Sequence, residues 1–120
     1  VNQIINLIIN NLSDDLLKRE FLLIKNRNKF TGHCYVATET LYHLLDDNEK
    51  LNYVPAILKI NNITHWFLKN KNTNEIIDIT KEQFNFKLDY SKSRNCFFLT
   101  KTPSKRSQIL INRIYEENYY

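Results

Sequence analysis

Residues 53–79 read YVPAILKINNITHWFLKNKNTNEIIDI. Three short runs, Tyr53 to Ile60, Ile63 to Lys69 and Glu75 to Ile79, are rich in β-branched and aromatic residues and are parted by Asn-rich breaks. Asn61-Asn62 and Asn70 to Asn74 suit hairpin loops, because Asn accepts positive backbone torsions better than most residues that carry a side chain. The stretch predicts an antiparallel meander of three strands, and Cys96 to Thr100 reads as a fourth.

On either side of the meander the period changes to that of helices. Ile4, Ile5, Ile8, Ile9 and Leu12 recur at three- and four-residue spacing, the mark of one buried helical face. Ser13 is placed to cap a second helix with Asp14 and Asp15 in its first turn and Leu16, Leu17, Phe21 and Ile24 on its apolar side. Asn26 to Lys29 reads as a loop. A third helix is predicted from Cys34 to Leu45, with Ala37, Leu41, Leu44 and Leu45 on one face and Asp46 to Glu49 ending it. Thr80 and Gln83 fit a capping box, and Thr102-Pro103 fits the start of a last helix carrying Ile109, Leu110, Ile114 and Tyr115 inward. The expected architecture is α+β, with helices packed on one face of a small antiparallel sheet and one domain spanning 1–120.

Composition narrows the function classes. Of 120 residues 42% are hydrophobic and 25% charged, which fits an ordered globular chain with one core. No apolar run approaches the ~18–20 residues of a membrane span. The first residues lack a basic segment followed by an apolar one, so no signal peptide is expected. Two cysteines do not make a disulfide framework, and a reducing cytoplasm is the expected compartment. The net charge of +4 is mild. Lys101, Lys105, Arg106 and Arg113 form a modest basic cluster, but no groove-reading motif accompanies it, so nucleic acid is not the expected partner. His33, Cys34, His43, His65 and Cys96 lack the spacings of a metal site, and no metal or other cofactor is expected.

The segment Thr31-Gly32-His33-Cys34-Tyr35-Val36-Ala37 carries the chemistry. Gly32 is the only glycine in the chain. It allows a sharp turn into the helix and the approach of a substrate without an intervening side chain. A cysteine in a first helical turn feels unpaired N–H groups and the positive end of the helix dipole, which favour the thiolate. The same N–H groups suit an oxyanion. The alternative for Cys34 is a small buried hydrophobe. His65 on the second strand and Asp78 on the third fall opposite each other if the turn centres on Lys71-Asn72, and one residue of slip would part them. Asp78 would then fix the tautomer of His65, leaving its other nitrogen for the thiol proton. The alternatives are a half-buried strand histidine and an acid serving the helix that begins at Thr80. Trp66 either lines the site or fills the core, the latter being commoner for a strand aromatic.

A cysteine at a helix start, a histidine on a strand and an acid on the next strand resemble the layout of papain-like thiol enzymes. More closely, Gly32-His33-Cys34 through Ala37, Thr64-His65-Trp66, and Asp78-Ile79-Thr80 with Gln83-Phe84 resemble the GHC, HW and DxTxxQF pattern of small bacterial and phage YunG-like proteins. Phe98-Leu99-Thr100 and Pro103 to Arg106 resemble the tail of the phage members, so the likeness spans Gly32 to Arg113. It implies a papain-like core with Cys34 as nucleophile, His65 as base and Asp78 as orienting residue, in the host cytoplasm where the chain is phage-encoded. Papain-like enzymes usually add an upstream Gln to the oxyanion site. No Gln lies just before Cys34 here; Asn28 and Gln83 are the candidate amides, with Gly32, His33 and Trp66 as further substrate-side candidates. The expected function is a thiol hydrolase or acyl transferase acting on an amide, peptide or ester bond of a protein or small molecule. The alternative is a non-catalytic module on the same fold that binds a ligand or host protein.

Overall fold

Asn61 and Asn62 take φ of 47° and 70°, the torsions of a two-residue hairpin loop that matches strand twist. They join strand β1 (Tyr53–Ile60) to β2 (Ile63–Asn70) in a register running from Ile60 opposite Ile63 to Tyr53 opposite Asn70. The computed structural model describes residues 2–23, 28 and 30–118. Among these, five helices accompany a four-stranded antiparallel sheet: α1 (Asn2–Asn11), α2 (Arg19–Leu22), α3 (Cys34–Leu44), α4 (Asp47–Lys50) and α5 (Lys105–Asn118), with β3 (Ile76–Ile77) and β4 (Arg94–Asn95). The sheet order is β3-β2-β1-β4, and the class is α+β.

Alternation along the strands divides the core in two. Leu68 faces α1, α3 and α5 and packs with Ile8, Val36, Leu41, Leu110 and Ile114. Phe67, Ala56 and Leu58 face the other way, against Leu88, Phe84 and Tyr90. The helical layer covers one face, as the periodicity predicts. The second face is covered by the irregular segment 84–90, which has no period to betray it.

Several boundaries differ from expectation, each for a local reason. The third strand shrinks from Glu75–Ile79 to Ile76–Ile77. The fourth lies at Arg94–Asn95, not Cys96 to Thr100, and ends as the Cys96 N–H reaches Pro55 O at 3.0 Å. Ser13 makes no cap: its hydroxyl donates to Asp15 and accepts from Arg113, so only a 3-10 turn, Asp14–Leu16, precedes the short α2. Asp46 does not merely end α3; its side chain accepts from Glu49 N at 2.8 Å and starts α4. The Thr80–Gln83 capping box is not formed, and Lys81–Gln83 is a 3-10 turn. On α5, Ile111 is buried and Tyr115 exposed, reversing the expected inward Tyr115. Ile24 and most of the loop from Asn26 to Lys29 lie outside the described residues.

The start of α5 moves from Thr102-Pro103 to Lys105 because of a buried acid. Glu39, 0% exposed on α3, accepts from Ser104 N at 2.9 Å and from Ser104 Oγ at 2.6 Å. Thr40 and Ser107 hydroxyls meet at 2.8 Å beside it. A carboxylate at a helix N-terminus satisfies orphan amides and opposes the dipole, so a side chain from another helix decides where α5 begins.

Candidate active site

The site grows from the entry to α3. Gly32 takes φ +80°, a conformation that side chains rarely tolerate. A Cβ built on it would stand 2.6 Å from Phe21 Cγ. The open side of Gly32 is therefore filled by Phe21, and is not a passage for substrate. Gly32→Ala combines overpacking with backbone strain and is expected to destabilise by about 2–4 kcal/mol; an unchanged urea midpoint would contradict this reading. His33 is 2% exposed and precedes the helix; its Nε2 donates to Ser13 O at 3.0 Å. It ties the N-terminal segment to α3.

Cys34 then lies in the first turn, where backbone N–H groups have no intrahelical acceptor. Its position against the sheet follows from hydrogen-bond alternation. Ile60 and Ile63 close the hairpin, so the backbone groups of Thr64 and Trp66 turn away from β1 towards β3. Strand β3 pairs only with Leu68 and Lys69. Beyond its end Thr64 O accepts from Cys34 Sγ at 3.8 Å, and Trp66 O accepts from Thr38 Oγ1 at 3.2 Å. Residues 34 and 38 are one turn apart, so one edge of α3 takes the place that a longer β3 would occupy.

His65 and Asp78 meet on the face opposite the helical core. Nε2 donates to Asp78 Oδ2 at 2.7 Å, with side chains 0% and 2% exposed. The register is two residues away from the expected one: Leu68 pairs with Ile77, which sets Asp78 across from Phe67 and diagonal to His65. A slip of two keeps the face where a slip of one would lose it. The displaced turn is built by Asn70, whose Oδ1 accepts from Asn72 N at 2.9 Å and Thr73 N at 3.2 Å, and by Asn74 at φ 63°.

Burial pushes the His65 imidazole towards its neutral form, but the Asp78 hydrogen bond and the Cys34 thiol outweigh it and raise the pKa to about 9. The thiol lies near enough to act on the ring, yet its hydrogen points at Thr64 O. His65 Nδ1 is left buried without a well-formed hydrogen bond. Asp78 Oδ1, Thr80 Oγ1 and Gln83 Oε1 are buried without partners as well. Buried polar atoms left without a protein partner are costly in a structural core.

Tyr90, which nothing in the sequence pattern singles out, donates its hydroxyl to the same Asp78 Oδ2 at 2.7 Å. Phe84 stands edge-on to His65 with centroids 4.9 Å apart. Both come from the irregular cover of the second face. Phe84 alone had a signal, in the QF pair that follows Asp78.

The remaining candidates lie elsewhere. Asn28 Nδ2 donates to Glu82 O at 2.8 Å and its Oδ1 accepts from Phe30 N at 2.8 Å, so the amide staples a loop and is not presented to Cys34. Trp66 points to the helical side, stacked on Phe98 at 5.8 Å and edge-on to Tyr35 at 4.8 Å. Of the basic cluster, Arg113 pairs with Asp15. A cavity of about 380 Å³ between α1 and β3 is bordered by Ile5, Ile9, Ile77 and Asp78 but not by Cys34 or His65. Among the described residues no group of His, Cys, Asp and Glu gathers as metal ligands, and no helix is long and apolar enough to cross a membrane. Comparisons with protein-family models, curated proteins and solved structures give no match.

Proposed function

We propose that the chain is a cysteine-dependent hydrolase or acyl transferase on a papain-like core, with Cys34 as nucleophile, His65 as proton carrier and Asp78 as its orienting partner. One observation carries this reading. A buried imidazole is held on Nε2 by Asp78 at 2.7 Å while Nδ1 is left unpartnered and the Cys34 thiol acts on the same ring.

The chemistry follows from these positions. The thiol proton passes to His65 Nδ1, giving a thiolate beside the imidazolium that Asp78 favours, and Cys34 Sγ then attacks the carbonyl carbon of an amide, ester or thioester. The backbone N–H groups of the first turn of α3 hold the oxyanion. As the bond from carbon to the leaving group breaks, His65 gives its proton to the departing nitrogen, oxygen or sulfur. Water then attacks the thioester, its proton returns through His65 to Sγ, and the carboxylic acid leaves. An amine or alcohol in place of water makes the reaction a transfer.

A second reading draws on a different observation. Cys34 is 8% exposed and its hydrogen rests on Thr64 O, which suits a module that binds a ligand or protein without chemistry. Labelling with an activated-carbonyl probe at pH 7 separates the two. The catalytic reading expects Cys34 to react at least tenfold faster than the more exposed Cys96, with all fast labelling lost in Cys34→Ala. Equal, slow reaction of both thiols would favour the binding module.

A further inference from the structure

Asp78 Oδ2 receives two hydrogen bonds, from His65 Nε2 at 2.7 Å and from Tyr90 Oη at 2.7 Å. A carboxylate tied at one oxygen by a single donor can pivot about its own bonds; a second donor arriving from another segment removes that freedom. Tyr90 is itself held at both ends. Its ring stands edge-on to Phe67 with centroids 4.9 Å apart. Its backbone begins a 3-10 turn, Tyr90–Lys92, in which Asp89 accepts from Ser91 N at 3.1 Å and Ser93 Oγ donates to Tyr90 O at 2.7 Å. The hydroxyl is thus delivered to Asp78 by packing and by turn geometry.

We infer that Tyr90 is a positioning residue for the thiol site: by sharing Asp78 Oδ2 with His65 it fixes the carboxylate, and so holds the imidazole with Nδ1 turned to Cys34. The inference rests on the reading of Cys34, His65 and Asp78 given above, and it extends that trio to a fourth side chain that acts only through Asp78. Burial and the adjacent carboxylate push the Tyr90 hydroxyl well above its ordinary pKa, so it stays a donor across the working range. The polar groups facing the imidazole are then Asp78 from beyond β3 and Cys34 from α3, with Phe84 and Phe67 as its apolar neighbours.

Tyr90→Phe removes the hydroxyl and keeps the ring on Phe67. Two readouts test it: the titration of His65 followed by NMR on ¹⁵N-histidine-labelled protein, and the acylation rates of Cys34 and Cys96. Without the competing donor, Oδ2 holds His65 alone, so the imidazole midpoint rises. The loosened carboxylate slows Cys34 acylation about tenfold, as expected for the loss of one hydrogen bond to a charged group, while Cys96 is unaffected. A role confined to packing would act the other way: water entering beside Asp78 would return the midpoint towards 6.5, its ordinary value. An unchanged or lowered midpoint overturns the inference, as does an unchanged Cys34 rate in a protein whose wild-type Cys34 is fast.

The thiol reading fails separately, if wild-type Cys34 is no faster than Cys96; the His65 midpoint then decides the role of Tyr90 on its own. The wild-type protein provides a further measurement that needs no variant. A Tyr90 hydroxyl proton protected from exchange and close to the His65 ring supports the shared oxygen, and a freely exchanging one overturns it.

Discussion

Asp78→Ala is expected to cost the fold about 3–5 kcal/mol at pH 6, the usual consequence of removing one partner from a buried ion pair. The carboxylate, whose hydrogen bond contributes most, keeps the buried imidazole charged together with the Cys34 sulfur. Without it the ring must either bury an uncompensated cation or give up its proton. The effect has a pH signature whose sign is fixed. The His65 pKa is raised in the folded state, to about 9 from 6.5. Stability from the pair is therefore fully present below pH 6.5 and is lost as pH rises through about 9. Urea midpoints of wild type and variant should lie furthest apart near pH 6 and converge by about pH 10. A gap that stays constant, or widens with pH, would mean that the pair is not ionic in the folded protein.

His65→Ala is the second large effect, and it falls on reactivity. Acylation of Cys34 by an activated-carbonyl probe is expected to slow by about 10²–10⁴-fold, the range usually supplied by a positioned acid–base group. Two contributions combine: the proton acceptor for the thiol is lost, and so is the cation beside the sulfur. Removing a buried, hydrogen-bonded ring also leaves Asp78 with Tyr90 as its remaining donor, so the variant needs a folding control by near-UV circular dichroism. Loss of Cys34 reactivity in a folded His65→Ala chain, with Cys96 unaltered, supports the catalytic reading. Retention of the wild-type rate sinks it and leaves the binding module.

Much of this arrangement was legible from the chain because its strongest signals are local. The Asn61-Asn62 loop set the β1–β2 register, and the apolar stripe at Ala37 and Leu41 set the face of α3. The pairing of His65 with Asp78 was legible only to within its face. The loop after Asn70 is long enough for two turns to compete, and it closed by side-chain bonds from Asn70 that a propensity argument does not weigh. The role of Gly32 was half legible. A positive φ follows from the residue type, but the neighbour that fills its open side, Phe21, comes from α2. Asn28 and His33 each meet a backbone carbonyl, Glu82 O and Ser13 O, that no spacing in the sequence connects to it. Tyr90 belonged to a segment without periodicity, so its place beside Asp78 had no trace in the pattern at all.

The shortness of β3 has a consequence for how this fold tolerates change. The carbonyls that anchor Cys34 and Thr38 are the ones an elongated third strand would claim with its own amides. Sheet growth and nucleophile placement are thus mutually exclusive at this edge. Insertions or substitutions that improve strand-forming tendency after Ile77 would displace the helix while making the sheet more regular. Engineering aimed at a sturdier sheet should leave the segment that follows Ile77 untouched.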